Sequence, residues 1–217
     1  MISESLKECN IILQHRTDYQ NILITEKDNL KSFYLDGDLQ FDDDNESYYH
    51  KQLVENLDKF MGGIRGFVSI VGGGDGGCAR DLLKYNPRKI TLVEIDPQII
   101  EISKKYFPNL NDNGKIFEKI DIHNEDAMDY LNKITYLDAV IYDVTIPNEN
   151  SLSANLFSKS FLDSLKGKVK YLSFFISYKA VHNLDFNIFK SFINYNAYKM
   201  YVPRYENDGM INIVGKL

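Results

Sequence analysis

Six consecutive residues, Gly72-Gly73-Gly74-Asp75-Gly76-Gly77, follow an apolar run and precede a helical pattern. In that setting a glycine-rich string has a mechanical reason: the backbone turns sharply and a ligand approaches it with no Cβ in the way. Twenty residues past Gly74 the next apolar run ends in Glu94-Ile95-Asp96, where an acidic side chain can accept hydrogen bonds from both hydroxyls of a ribose. Gly72, Gly74, Gly76 and Glu94 together describe a nucleoside site at the carboxyl ends of adjacent parallel strands. The carboxylate inside the loop, Asp75, selects among nucleosides. It repels a pyrophosphate and favours a cationic substituent, a sulfonium or an amine. A plainer duty for Asp75, capping the helix that follows, is compatible with the first.

Two further carboxylates fall at the same rim. Asn124-Glu125-Asp126-Ala127 lies after a third strand and opens a helix, so Asp126 can meet an adenine amino group while backbone N–H groups meet the ring nitrogens. An Asp before a helix is also an ordinary cap, and both readings stay open. Tyr142-Asp143-Val144-Thr145-Ile146-Pro147 ends a fourth strand. There Asp143 can take a proton from a primary ammonium, which has no lone pair for attack until it loses one near its pKa of about 10. The alternative is a turn Asp ahead of Pro147.

The elements that must hold these residues follow from the periodicity. Apolar runs Phe67–Val71, Ile90–Ile95, Ile116–Ile120, Ala139–Tyr142 and Lys170–Ile176 alternate with helical patterns at Gly76–Tyr85, Pro97–Phe107, Ala127–Ile134, Leu156–Leu165 and Asn183–Ile193. Such alternation predicts βαβ units and a parallel sheet covered on both faces. Tyr198–Val202 and Met210–Val214 are expected to close it as an antiparallel pair. Before it, Cys9–Gln14, Asn21–Thr25 and Ser32–Leu35 read as strands between polar turns, and Tyr49, Leu53, Leu57 and Phe60 mark a helix closed by Gly62-Gly63. The expected architecture is α/β, a Rossmann-like, mostly parallel sheet of the S-adenosylmethionine-methyltransferase type (45–217), preceded by a small N-terminal β-meander (1–44).

Bulk composition narrows the partners. With 217 residues, 25 Lys and Arg are scattered among 31 Asp and Glu for a net charge of −6, which argues against nucleic acid, whose phosphates call for clustered cations. No run is long and apolar enough for a membrane helix, and the start MISESLKECN is too polar for a signal peptide. A cytoplasmic location is expected. Cys9 and Cys78 are too few for a disulfide framework and lack the clustering of a zinc site.

These strings resemble the polyamine aminopropyltransferases, whose type enzyme is spermidine synthase, over nearly the whole chain. Tyr19-Gln20-Asn21-Ile22, Leu35-Asp36-Gly37-Asp38-Leu39-Gln40 and Asn45-Glu46-Ser47-Tyr48-Tyr49-His50 carry the resemblance, with the Gly72–Gly77 loop, Glu94-Ile95-Asp96, Lys104-Lys105-Tyr106-Phe107-Pro108, Asp143 and Val202-Pro203-Arg204-Tyr205. The resemblance implies that Gln20, His50, Asp75, Glu94, Asp126, Ala127 and Asp143 contact decarboxylated S-adenosylmethionine or its product methylthioadenosine. It places Gln40, Tyr49 and Tyr205 in an amine-acceptor pocket, makes Asp143 the catalytic base, calls for no metal and suggests a homodimer.

Three positions depart from the family pattern. Ile146 stands where a second aspartate before proline pairs with the acceptor's ammonium, Lys51 replaces a glutamate after the Tyr-His pair, and Glu125 replaces a glycine. An acceptor less cationic than a diamine, or one with a longer apolar stretch facing Ile146, follows from the lost carboxylates. Two other readings keep the fold: a transferase of the 3-amino-3-carboxypropyl or methyl group of S-adenosylmethionine, and a catalytically silent nucleoside-binding subunit.

Overall fold

The computed structural model describes residues 8–145, 153–177, 184–203 and 209–217. The chain divides between Ser47 and Tyr48 into two compact units. The first is an antiparallel meander of β1 (Asn10–Arg16), β2 (Asn21–Lys27), β3 (Leu30–Leu35) and β4 (Asp38–Asp42), paired in chain order. Its tight turns use residues that tolerate positive φ, Asp28 and Asn29 between β2 and β3, and Asp36 and Gly37 between β3 and β4. Ile22, Ile24, Phe33 and Phe41 are buried, with the two phenyl rings stacked at 5.1 Å.

The helix α1 (Glu46–Met61) leads into the second unit. It ends where Gly62 turns at φ 71°, and Asp58 Oδ1 accepts from the Ile64 N–H at 2.8 Å. Beyond it the chain alternates: β5 (Phe67–Gly72), α2 (Gly77–Leu83), β6 (Lys89–Val93), α3 (Pro97–Tyr106), β7 (Asp121–His123), α4 (Ala127–Lys133), β8 (Leu137–Asp143), α5 (Lys159–Ser164), β9 (Val169–Ser177), β10 (Asn194–Met200) and β11 (Met210–Lys216). Among the described residues these strands form one seven-stranded sheet in the order β10-β11-β9-β8-β5-β6-β7. β5 to β9 pair in parallel, and β11 runs antiparallel to both β9 and β10. Among the described residues no helix is long and apolar enough to cross a membrane.

Period-two alternation sends each strand's side chains to two separate cores. On β8, Ala139 and Ile141 face a layer with Leu53 and Leu57 of α1 and Leu82 of α2. Val140 and Tyr142 face the other layer, with Leu131 of α4 and Phe161 and Leu162 of α5. Each fully buried Leu or Ile contributes about 1.5–3 kcal/mol, so the central strands are the most firmly held part of the molecule. A chain of polar contacts links β11, β9 and α1 through the interior. Asn212 Nδ2 on β11 donates to Ser173 Oγ and to the Phe174 carbonyl on β9, each at 3.0 Å, and Ser173 Oγ donates to the Leu53 carbonyl of α1 at 3.4 Å.

Four expected elements are revised. Ile116–Ile120 is not a strand: Phe117–Lys119 is a 3₁₀ turn and the strand is Asp121–His123. The positive φ of Asn113 and Gly114 tightens the chain there, and Ile116 and Phe117 bury their side chains from that turn. The expected Leu156–Leu165 helix is a 3₁₀ turn Ala154–Phe157 followed by α5, whose N-cap Ser158 interrupts it. The expected helix Asn183–Ile193 is a 3₁₀ segment, Phe186–Ser191. The strand expected at Tyr198–Val202 runs from Asn194 to Met200.

Candidate active site

Parallel order brings the chemistry together. β5 lies between β8 and β6, with α2 after β5 in one core layer and α5 after β8 in the other, the arrangement that opens a crevice at the carboxyl ends of the two strands. Gly72 pairs with Asp143 across β5 and β8, and the Gly73 N–H donates to the Asp143 carbonyl at 2.9 Å. This seam is too tight for side chains. A Cβ on Gly72 would stand 2.2 Å from the Asp143 carbonyl oxygen, and one on Gly76 2.9 Å from the Phe117 ring, while both residues hold positive φ.

Glu94, at the end of β6, is buried and uses both oxygens on backbone. Oε2 accepts from Gly74 N–H at 3.2 Å and Oε1 from Asp96 N–H at 3.0 Å. Burial raises its pKa to about 7, although those two amides pull it back. Each carboxylate oxygen keeps a further lone pair for a ribose hydroxyl. Next to it, Asn124 Nδ2 reaches the Glu94 carbonyl at 3.4 Å. Asp126 is exposed and caps α4, its Oδ1 accepting from Met128 N–H at 2.7 Å and Asp129 N–H at 3.2 Å. Ala127 begins that helix and packs against the core.

On the other side of the loop stands a cluster of charge. His50 of α1 is 2% exposed, and its Nε2 lies 3.4 Å from Asp75 Oδ1 and 3.8 Å from Asp143 Oδ2. Gly77 makes room for it, since a Cβ there would meet the imidazole at 2.3 Å. Asp75 Oδ1 also accepts from Gly77 N–H at 2.6 Å, so it both opens α2 and faces the imidazole. The Tyr49 hydroxyl faces Asp143, and its ring packs edge-on against His50 and Phe175.

The two carboxylates beside one imidazole are driven apart. Burial raises Asp143 to about 6, with Asp75 adding to it and His50 and Tyr49 opposing. For Asp75 burial also pushes upward, but the His50 charge and hydrogen bond, Gly77 N–H and Arg80 outweigh it and the net shift is downward. Burial and the Asp143 charge push the Tyr49 phenol well up. Asp143 Oδ2 is buried with no hydrogen-bond partner among the described residues.

Two residues absent from the sequence-based expectations hold the loop in place. Ser103 Oγ donates to the Asp75 carbonyl at 2.7 Å. Asn111 Nδ2 donates to Ser103 Oγ at 2.8 Å while its Oδ1 accepts from Gly114 N–H at 2.9 Å. Ser103 left a signal, a polar residue on the buried stripe of α3 beside Ile99 and Ile100; Asn111, in a polar loop, left none.

The structure thus brings Tyr49, His50, Gly72, Gly74, Asp75, Gly76 and Asp143 to one rim with Glu94. Gln20, at the head of β2, and Gln40, on β4 with Nε2 donating to the Asp38 carbonyl at 3.0 Å, belong to the first unit. Ile146 and Tyr205 lie outside the described residues. Lys51 does not enter the charge cluster: its side chain is 61% exposed and pairs with Glu55 at 3.5 Å. Glu125 is held by Lys133 at 2.9 Å and His123 at 3.2 Å.

The pattern of the spermine/spermidine synthase domain matches residues 46–216. Polyamine aminopropyltransferase 2 of Aquifex aeolicus is 34% identical over 212 residues, 93% of this chain and 43% of that protein. A polyamine aminopropyltransferase of Oceanobacillus iheyensis is 31% identical over 77% of this chain and 33% of its own length. The chain therefore spans less than half the length of these two relatives. Among solved structures, a spermidine synthase in complex with the transition state analogue AdoDATO superposes with a TM-score of 0.82 at 25% identity, covering 95% of this chain and 73% of the other. Spermidine synthase from Thermotoga maritima gives 0.78 at 25% identity, covering 95% and 72%. A domain match over most of the chain, joined to these identities and to the glycine loop set against Glu94 and Asp143, places the chain in the spermine/spermidine synthase domain family.

Proposed function

We propose that the protein transfers the aminopropyl group of decarboxylated S-adenosylmethionine to a small amine acceptor and releases methylthioadenosine. The observation that carries this reading is the cluster of two carboxylates, Asp75 and Asp143, around His50 beside a nucleoside-shaped glycine loop. It offers a cation cradle and a base within a few ångströms of where a sulfonium nucleoside fits. Likeness to aminopropyltransferases and to a spermidine synthase holding a transition state analogue supports it.

In this reading Gly72, Gly74 and Gly76 admit the nucleoside, Glu94 accepts from the ribose, and Asp126 and Ala127 edge the adenine. Asp75 and His50 border the donor's aminopropyl ammonium, and Gln20 is assigned to the donor by resemblance. Tyr49, Gln40, Ile146 and Tyr205 are assigned to the acceptor. The acceptor nitrogen attacks the sulfonium-bound methylene of the propyl chain, a C–N bond forms as the C–S bond breaks, and the electron pair returns to sulfur. Asp143 takes the proton from the amine. A homodimer completes the reading, on the resemblance alone.

The donor is decarboxylated because Asp75 lies in the loop. The extra carboxylate of S-adenosylmethionine, within about 4 Å of Asp75, would be repelled by about 4 kcal/mol at an effective dielectric of 20. Half of that is more than a tenfold preference. Calorimetric titration of both donors into wild type and Asp75→Asn tests it. The decarboxylated donor should bind more tightly to wild type, and the gap should narrow in the variant. Tighter binding of S-adenosylmethionine to wild type removes the reading in favour of aminocarboxypropyl or methyl transfer.

A further inference from the structure

We propose that His50, Asp75 and Asp143 form a site for one borderline divalent transition ion of the zinc class, and that this ion and the donor's ammonium exclude each other. The second half rests on the aminopropyl transfer reading; the first does not. That activity itself calls for no metal, so the ion is an antagonist of the site.

Geometry supports a metal. One ligand atom from each of the three residues lies within 4.8 Å of the others, with His50 Nε2 at 3.4 Å from Asp75 Oδ1 and 3.8 Å from Asp143 Oδ2. Zinc bonds of about 2.0–2.2 Å put neighbouring ligand atoms roughly 3.3 Å apart in a tetrahedral shell; the His50–Asp75 pair already stands at that spacing, and the Asp143 carboxylate closes in to complete the set. The donors are rigidly mounted. His50 rises from α1 against the bare face of Gly77, Asp75 is tied through its carbonyl to Ser103, and Asp143 ends a core strand. Beyond the spacing of the cluster, Asp143 Oδ2 is buried with no hydrogen-bond partner among the described residues, on a side chain 7% exposed. A buried anionic oxygen costs free energy until something positive meets it.

Donor chemistry selects the ion. Imidazole with two carboxylates suits zinc or cobalt, and three protein ligands with an open fourth position is the layout of exchangeable zinc sites. Magnesium requires six oxygens in an octahedron and gives up water reluctantly, which a buried cluster with one nitrogen does not accommodate. Both cations need the same two carboxylates, so occupancy by one weakens the other by the same factor in either direction.

The test is calorimetric titration of zinc chloride into the full chain, with magnesium chloride as comparison. Wild type should bind one zinc that is weakened by about tenfold or more in both His50→Gln and Asp75→Asn. It should be retained in His123→Gln and Cys9→Ser, which remove other ligands. Cobalt chloride added to wild type should produce visible ligand-field bands that addition of decarboxylated donor erases, a readout needing no variant. At a free donor concentration ten times its own dissociation constant, zinc should bind about tenfold more weakly. Zinc binding unchanged in both His50→Gln and Asp75→Asn, or lost only in the two control variants, overturns the metal site. Simultaneous binding of donor and ion overturns the exclusion. If zinc depends on the triad but the donor never binds, the metal site stands and the donor reading falls; a donor that binds where zinc does not leaves the donor reading and removes the site.

Discussion

The two halves of the active rim are built on opposite principles. On the β6 side Glu94 is buried but spends both oxygens on backbone amides of Gly74 and Asp96. That carboxylate is part of the architecture before any ligand arrives. On the β8 side the Asp143 side chain is 7% exposed, yet among the described residues its Oδ2 meets no hydrogen-bond donor, and the His50 imidazole lies 3.8 Å from it. One half is finished and, under the proposed function, meets a neutral sugar. The other is electrostatically incomplete and is arranged for a charge that comes and goes.

The largest expected effect lies on the incomplete half. Asp143→Asn keeps the shape and removes the base, so turnover should fall by about 100-fold or more while calorimetric nucleoside affinity stays within a few-fold. Near-normal turnover would take Asp143 out of the mechanism. Gly77→Ala attacks the same half by volume: the new Cβ would stand 2.3 Å from the imidazole, and forcing it in should cost about 1–3 kcal/mol in a denaturant melt. Unchanged stability together with unchanged donor affinity would mean that His50 is not wedged there.

On the finished half the effect is a pH dependence of stability. The Glu94 carboxyl keeps its proton up to about 7 in the folded protein against an ordinary 4.5. Between those values the native state binds more protons than the unfolded chain, so this group makes stability decline as pH rises, by about 1 kcal/mol per pH unit. Glu94→Gln should flatten that slope and weaken nucleoside binding. A slope equal to that of wild type would show that Glu94 titrates in the same way folded and unfolded. The smallest effect belongs to Lys51. Its exposed pair with Glu55 is of a kind that contributes about 0.3–0.5 kcal/mol, so Lys51→Glu should leave the ranking of acceptor amines unchanged. Ile146→Asp should move that ranking toward putrescine. A reversed pattern would assign acceptor choice to Lys51.

Much of this rim can be read in advance because the loop carries its own reasons. Gly72 and Gly76 need positive φ and bare backbone, and the strand ends at Glu94 and Asp143 are marked by apolar runs that stop at a carboxylate. What cannot be read is long-range. Ser103 and Asn111 hold the Asp75 carbonyl from 28 and 36 residues away. Neither pairing follows from local pattern, since each depends on how α3 and the next loop pack. The segment around Phe117 misleads for a related reason. Ile116, Phe117 and Ile120 make a short apolar run that reads as a strand, but Gly114 bends the chain, and the buried Phe117 ring fills the space a side chain on Gly76 would need. Asp126 shows the limit of local chemistry in the other direction. The capping geometry is plain, and an adenine contact adds nothing that the free protein would display.

The amide of Asn212 has a consequence for how the sheet avoids assembling wrongly. Because strand side chains alternate, sliding β11 by one residue against β9 would turn Asn212 to the opposite face and set Ile211 or Ile213 against the buried Ser173 hydroxyl. Stranding those polar groups in hydrocarbon costs about 1–3 kcal/mol apiece. The misaligned sheet would otherwise bury nearly as much apolar surface as the correct one, so hydrophobic contact alone discriminates weakly between them. Ser173 in turn reaches the Leu53 carbonyl one helical turn beyond His50. A single interior amide therefore acts as an alignment key, setting the edge hairpin in step with the helix that delivers the imidazole.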